Sequence, residues 1–155
     1  MAGPSGNAMG AAKRAAKRAA KREARAKKPR AAEAPFQARL AVALCTIPGV
    51  RVWRQSPYVV AKGQPVRTGM PVGAADLGGI VGPEGWCLQI ECKGENTEAH
   101  ESEETLSAQT RWAEMVIASG GIYLKLRAEH GVEAAVERVR LQIGIRRTRL
   151  ASELL

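Results

Sequence analysis

Acidic residues are almost missing from the first part of this chain. Residues 1–32 hold ten Lys/Arg and one acid, Glu23, whereas residues 33–155 hold 14 Lys/Arg and 14 Asp/Glu. The formal charge of +9 thus belongs to the first 32 residues, and the remainder is electrically balanced. Cysteine and histidine are also scarce. Cys45, Cys87 and Cys92 form no C-x-x-C pair, and with only His100 and His130 beside them they match no zinc-site spacing. An odd cysteine count argues for free thiols and a reducing, cytoplasmic setting, with Cys45 and Cys92 expected to be buried on apolar faces. No apolar run approaches the roughly 18–20 residues of a membrane span, so no membrane partner is expected. The basic N-terminal stretch lacks the apolar core of a secretory signal; it also has little serine and no amphipathic stripe of the kind transit peptides carry. Aspartate is the scarcest acid of all: Asp76 is the only one.

What is present divides the chain into three. Residues 1–32 contain the period-four repeat AAKRAAKRAAKREARAKKPR, made of good helix formers but with nothing apolar enough to dock on a core. A disordered basic arm is expected there, able to neutralise phosphates and to turn helical in doing so. Lys13, Arg14, Lys17, Arg18, Lys21 and Arg22 are its candidate DNA contacts. Residues 33–145 read as one domain and 146–155 as a helical end.

Within the domain, Phe36, Leu40, Leu44 and Ile47 recur at helical steps from residue 33 until Pro48-Gly49 stops them. VRVWRQ (50–55) reads as a strand, and the Pro- and Gly-rich 56–73 as a loop or loose ribbon. Strands 75–81 and 86–93 flank a GPEG turn as a hairpin. The acidic stretch 94–105 reads as an exposed loop whose charge suits three roles, contact with the basic tail ranked first, then a gate over a site or a mimic of nucleic acid. A second helix, 107–119, is expected from Ser107 to Gly120-Gly121, with an apolar side of Ala108, Trp112, Met115 and Ile117. A strand at 122–128 and a third helix at 129–144 complete an α/β order, a mixed sheet flanked by helices.

The chemistry centres on LQIECKGEN. Alternation along a strand puts Gln89, Glu91 and Lys93 on one face. An ordinary solvated strand carries Glu-x-Lys too, with an ion pair worth little. However, this is the chain's one Glu-x-Lys, and the sole aspartate opens the partner strand. If Asp76 and Glu91 meet at the hairpin, both stay ionised only with positive charge between them, either Lys93 or a divalent cation. Magnesium takes oxygen ligands and typically uses one or two carboxylates, and a backbone carbonyl beside Glu91 adds another donor. Lys93 would then orient or deprotonate water, or face charge building on a phosphate.

The run GAADLGGIV, then GWCLQIECKGEN, then TLSAQTRWAEMVIASGGIYLKLR resembles the PD-(D/E)xK nuclease superfamily, specifically its small VRR-NUC type from phages and bacteria. The resemblance implies a restriction-endonuclease-like fold and a metal-dependent DNA endonuclease using Mg2+, with Mn2+ an alternative. It implies Asp76 and Glu91 as metal ligands with the Cys92 carbonyl, Lys93 as the catalytic lysine, Gln109 orienting water or substrate from its helix's first turn, and Glu33 as an optional ligand. Branched DNA such as a Holliday junction, cut by a homodimer, is the substrate that the small stand-alone members suggest. Ala75 stands where the family usually has proline. Arg54, Lys62 and Arg67 are further candidate phosphate contacts. The rival expectation is a non-catalytic nucleic-acid-binding protein that works through its basic arm.

Overall fold

Phe36, Leu40 and Leu44 lie on one side of a helix, and each is essentially removed from solvent in α1 (Arg30–Leu44). The structure is a computed structural model that describes residues 30–56, 58–61, 64–67, 69–94 and 101–154. Lys13, Arg14, Lys17, Arg18, Lys21, Arg22, Lys62, His100 and most of the acidic stretch lie outside the described residues. Helix α1 begins before the expected residue 33 and ends at Leu44 rather than running to Pro48. Thr46 turns the chain first, its hydroxyl donating to the Ala43 carbonyl at 2.7 Å.

Four strands form the main sheet in the order β1 (Val50–Arg54), β4 (Leu77–Val81), β5 (Trp86–Lys93), β6 (Ile122–Arg127). The first two pairings are antiparallel and β5–β6 is parallel, so the sheet is mixed and the architecture is α/β. The Pro/Gly-rich segment is more ordered than a loop: β2 (Tyr58–Ala61) and β3 (Gln64–Arg67) pair as a separate antiparallel hairpin.

The apolar face of the sheet offers Val50, Leu77, Val81, Leu88, Ile90, Cys92, Ile122, Leu124 and Leu126 to α1 and to a long final helix, α3 (Gly131–Glu153). From α3 come Val136, Val139 and Ile143. A fully buried aliphatic side chain of this kind contributes roughly 1.5–3 kcal/mol relative to exposure, so this one layer dominates the stability of the domain.

Helix α3 runs unbroken through the boundary expected near residue 145. Arg146 donates to the Gly120 and Gly121 carbonyls (2.7 and 3.1 Å), and Arg147 grips the β4–β5 turn through Glu84 and Gly82. These bonds anchor the helix beyond Gly144, and residues 146–153 are its last turns rather than a separate end.

The second helix, α2 (Glu103–Ala118), covers the opposite face of the sheet. It starts earlier than expected. Ser102, not Ser107, is the N-cap, its Oγ accepting the Thr105 N–H at 3.2 Å, with Glu103 and Glu104 in the first turn favoured by the helix dipole. Its buried line is Ala108, Gln109 and Val116, whereas Met115 and Ile117 are exposed. The buried side therefore differs from the expected apolar one, because the strip of sheet it covers is polar and takes a glutamine. Among the described residues no helix is long and apolar enough to cross a membrane.

Candidate functional site

Gln89, Glu91 and Lys93 do share one face of β5, and it is not a solvated face. The three are 5%, 5% and 2% exposed, because α2 closes over them while α1 and α3 fill the other side. In register with them on β6 stand Tyr123, Lys125 and Arg127. An ion pair at this depth is governed by desolvation and not by screening in water, so each charged group needs a partner.

The partners are found at the C-terminal end of β5. Asp76 immediately precedes β4, opposite Glu91 in the extension of the β4–β5 register. Its Oδ2 accepts the Cys92 N–H at 2.8 Å, and its own carbonyl accepts the Gln55 N–H at 2.7 Å. Lys93 Nζ lies 2.9 Å from Glu91 Oε1 and donates to Gln109 Oε1 at 3.1 Å. A third donation goes to Glu101 Oε1. Gln109 closes the ring, its Nε2 donating to Glu91 Oε1 at 2.7 Å and to Glu101 Oε1 at 3.3 Å. Strand, hairpin mouth and helix therefore converge on one buried polar cluster.

Burial raises the pKa of Asp76, an effect that the Cys92 N–H and the charges of Lys93 and Arg54 oppose without cancelling. Glu91 is pushed up to about 7, first by burial and then by the charge on Asp76. For Lys93, burial works to lower the pKa, but its bonds to Glu101 and Glu91 outweigh that and hold it above the usual lysine value. Tyr123 is raised by burial and by the nearby carboxylates, so its hydroxyl stays protonated. The lysine is a fixed cation, and Asp76 and Glu91 are held above their ordinary values chiefly by burial.

Two placements differ from expectation. Gln109 sits in the second turn of α2 rather than the first, because the helix starts at Glu103. Glu101, expected on an exposed acidic loop, turns inward: its side chain is 20% exposed, and its Oε2 is buried with no hydrogen-bond partner among the described residues. A buried acceptor without a donor costs about 1–3 kcal/mol. The signal for Glu101 is present in Ser102-Glu103-Glu104-Thr105, since a capping serine followed by acids places the preceding residue at the helix mouth.

The other candidates lie farther out. Glu33 accepts from Gln37 at 3.2 Å, and Gln37 accepts from Arg54 at 3.2 Å, a relay running from α1 to the residue whose charge acts on Asp76. The Cys92 thiol is pushed up first by burial and then by the charges of Asp76, Glu91 and Glu33. Arg67 ends β3, in the separate hairpin. Cys92 is buried as expected; Cys45 is half-buried and bonds the Val52 backbone, and Cys87 is exposed. Trp53 is 48% exposed on β1, Trp86 lies under Arg146 with its ring centroid 5.0 Å away, and Trp112 donates to Gln89 at 3.3 Å.

Gly73 fixes how closely the loop before Asp76 approaches α2. It has φ +87°, and a Cβ there would fall 2.4–2.8 Å from backbone atoms of Ala108 and Gln109. Those atoms cannot swing aside as a side-chain tip does. Gly73→Ala is expected to lower stability by about 1–3 kcal/mol, measured by urea unfolding, through overpacking and a left-handed backbone. A neutral result would mean the loop does not seat on α2.

Among the described residues no three His, Cys, Asp or Glu side chains are gathered closely enough to cage a metal by themselves. The oxygens that could hold a cation here are those of Asp76 and Glu91, with the Cys92 carbonyl, which leaves the strand on the same edge as the N–H that Asp76 accepts. Comparison of the chain with protein-family models, with curated proteins and with solved structures returned no match.

Proposed function

We propose that this protein is a metal-dependent DNA endonuclease of restriction-endonuclease-like fold, related to the VRR-NUC nucleases it resembles. One observation carries the reading: Asp76 from the entry to β4, Glu91 and Lys93 from β5, and Gln109 from α2, three separate parts of the chain, meet in a single cluster. A purely structural role does not call for such a cluster, because apolar residues of similar volume stabilise an interior as well as or better than a buried ion pair. Groups with perturbed pKa values concentrated at one strand end are what a reaction centre requires.

The residues fit a hydrated Mg2+ or Mn2+ better than a closed cage. Two carboxylates raised by burial, with Asp76 also acting on Glu91, would be relieved by a cation between them, and magnesium binds through one or two carboxylates while keeping several waters. When bound, such an ion supplies Lewis acidity and lowers the pKa of water. Asp76 and Glu91 would hold it with the Cys92 carbonyl, and Glu33, entering from α1, is an optional further ligand. Gln109 fixes the rotamers of Glu91 and Lys93 by bonding one to each end of its amide. Lys93, cationic throughout the neutral range, faces the negative charge that grows on a phosphate under attack.

The substrate class is DNA, and branched DNA such as a Holliday junction is the preferred form by resemblance; a homodimer would bring two such sites to a two-fold junction. The deciding experiment is incubation of the full chain with supercoiled plasmid and with a synthetic four-way junction, with Mg2+, with Mn2+ and with EDTA. Metal-dependent nicking supports the proposal. Shifted but uncut DNA in every metal would instead favour the non-catalytic binding protein.

The basic tail would add affinity without reading sequence, since phosphate neutralisation is sequence-blind. Removing residues 1–30 is expected to flatten the plot of log affinity against log salt, by roughly 0.9 for each phosphate no longer neutralised. An unchanged slope, measured by fluorescence anisotropy, would remove the tail from DNA binding.

A further inference from the structure

A lysine ammonium has three N–H groups, and all three of those on Lys93 are engaged, by Glu91, Gln109 and Glu101. A phosphate cannot reach this ammonium until one of the three lets go. Glu91 and Gln109 are poor candidates. Both are more than nine-tenths buried, both belong to regular elements, and they are bonded to each other at 2.7 Å.

Glu101 is different on each count. It precedes the N-cap of α2 and so belongs to neither helix nor strand. It is the most exposed of the three, and its second oxygen is buried without a donor. Its charge also opposes those of Asp76 and Glu91. Among the described residues, the lysine and the glutamine are what hold it in.

We propose that Glu101 is an internal surrogate for the substrate phosphate, an autoinhibitory contact that occupies Lys93 at rest and is displaced by an entering phosphodiester. The inference rests on the nuclease reading above and deepens it. A carboxylate and a phosphodiester present the same thing to an ammonium: a negatively charged oxygen pair. Exchange of one for the other keeps the third N–H of Lys93 bonded to an anion, while Glu91 stays paired with the ammonium throughout. The consequence is weaker affinity. A phosphate enters the site only in the fraction of molecules in which Glu101 has swung out, and the site's share of the affinity falls by that fraction.

The test uses the full chain with Glu101→Ala and, as a shape-preserving second variant, Glu101→Gln. Binding of a labelled duplex is followed by anisotropy in EDTA, at about 0.3 M salt so that the tail's contribution is screened. Glu103→Ala, an exposed acid two residues on, controls for the simple loss of a negative charge. Freeing Lys93 is expected to tighten binding about tenfold in both Glu101 variants. Glu103→Ala should change little, and the gain should vanish in the Lys93→Ala/Glu101→Ala double variant. With Mg2+ the same variants should cut with lower KM and unaltered kcat.

A gain no larger than that of Glu103→Ala, or one that persists without Lys93, overturns the proposal. So does a fall in kcat at unchanged KM, which would place Glu101 in the chemistry itself. Tighter binding in a protein that never cuts would sink the nuclease reading and leave the displaceable carboxylate standing; cutting without the binding gain would do the reverse.

Discussion

Lys93→Ala is expected to lose DNA cleavage by at least about a hundredfold while retaining DNA binding, because charge stabilisation at the reacting phosphate is the kind of interaction that acts in the transition state. The residue is 2% exposed and its ammonium touches two acids and the glutamine of the cluster, so the substitution removes the cation that these three groups hold in place. Binding should survive, since sequence-blind affinity resides in the basic tail and not at the strand end. The same substitution has a second, independent consequence. It leaves Glu91 and Glu101 facing one another with Asp76 close by, without the ammonium that bonded both glutamates. Breaking a buried pair in this way typically costs about 3–5 kcal/mol. Metal-free Lys93→Ala protein should therefore melt well below wild type at pH 8, and Mg2+ should recover part of the difference through its binding energy. Cleavage that continues at the wild-type rate would exclude the lysine from catalysis. Unchanged stability would mean that the carboxylates find another counter-charge.

The stretch from Ala74 to Lys93 is legible in its residues because two simple rules apply there at once. Period-two alternation puts Glu91 and Lys93 on one face, and a Gly-Pro-Glu-Gly turn folds the strand after Asp76 back beside it. Both rules are local, and they fix the relative place of three site residues without any tertiary information. Burial is not legible in the same way. Glu91 and Lys93 look like a solvated face in the sequence, and only the seating of α2, fixed by Gly73 against the backbone at Ala108–Gln109, makes that face an interior.

The start of α2 departs from expectation for a related reason. Ser107 and Ser102 are both plausible caps, but Ser102 is the one followed directly by two acids that favour a helix N-terminus, and choosing between them moves Glu101 from an open loop to the mouth of the site. The continuity of α3 is hidden by Gly144, which suggests a stop; Arg146 and Arg147 override it with bonds to Gly120, Gly121, Gly82 and Glu84 that are remote in sequence. Turn chemistry and strand period are local, whereas which face is covered is decided by distant residues.

Glu91→Gln is expected to flatten the metal-free pH dependence of stability around neutrality. Folded Glu91 holds its proton up to about pH 7, whereas in the unfolded chain it releases it near the ordinary glutamate value of 4.5. Between those two values the native state binds more protons than the unfolded state, so stability falls as pH rises through the window and levels off above it. Asp76 is raised as well and contributes with the same sign. Lys93 contributes nothing to this window, because its own pKa moves upward from the ordinary lysine value and its charge is constant across it. The penalty carried by ionised Glu91 is on the order of 3 kcal/mol by pH 8, from about 1.36 kcal/mol for each pKa unit. Glutamine keeps the acceptor for Gln109 and Lys93 but has no proton to lose, so the variant should match wild type near pH 5 and exceed it in Tm at pH 8. Magnesium should invert the order at pH 8, since a cation binds the ionised acid and not the amide. Thermal melts at the two pH values, each with and without Mg2+, read all four corners. A wild-type profile that rises from pH 5 to pH 8 without metal would show that the carboxylates already have their counter-charge, and the case for a cation at this strand end would go with it.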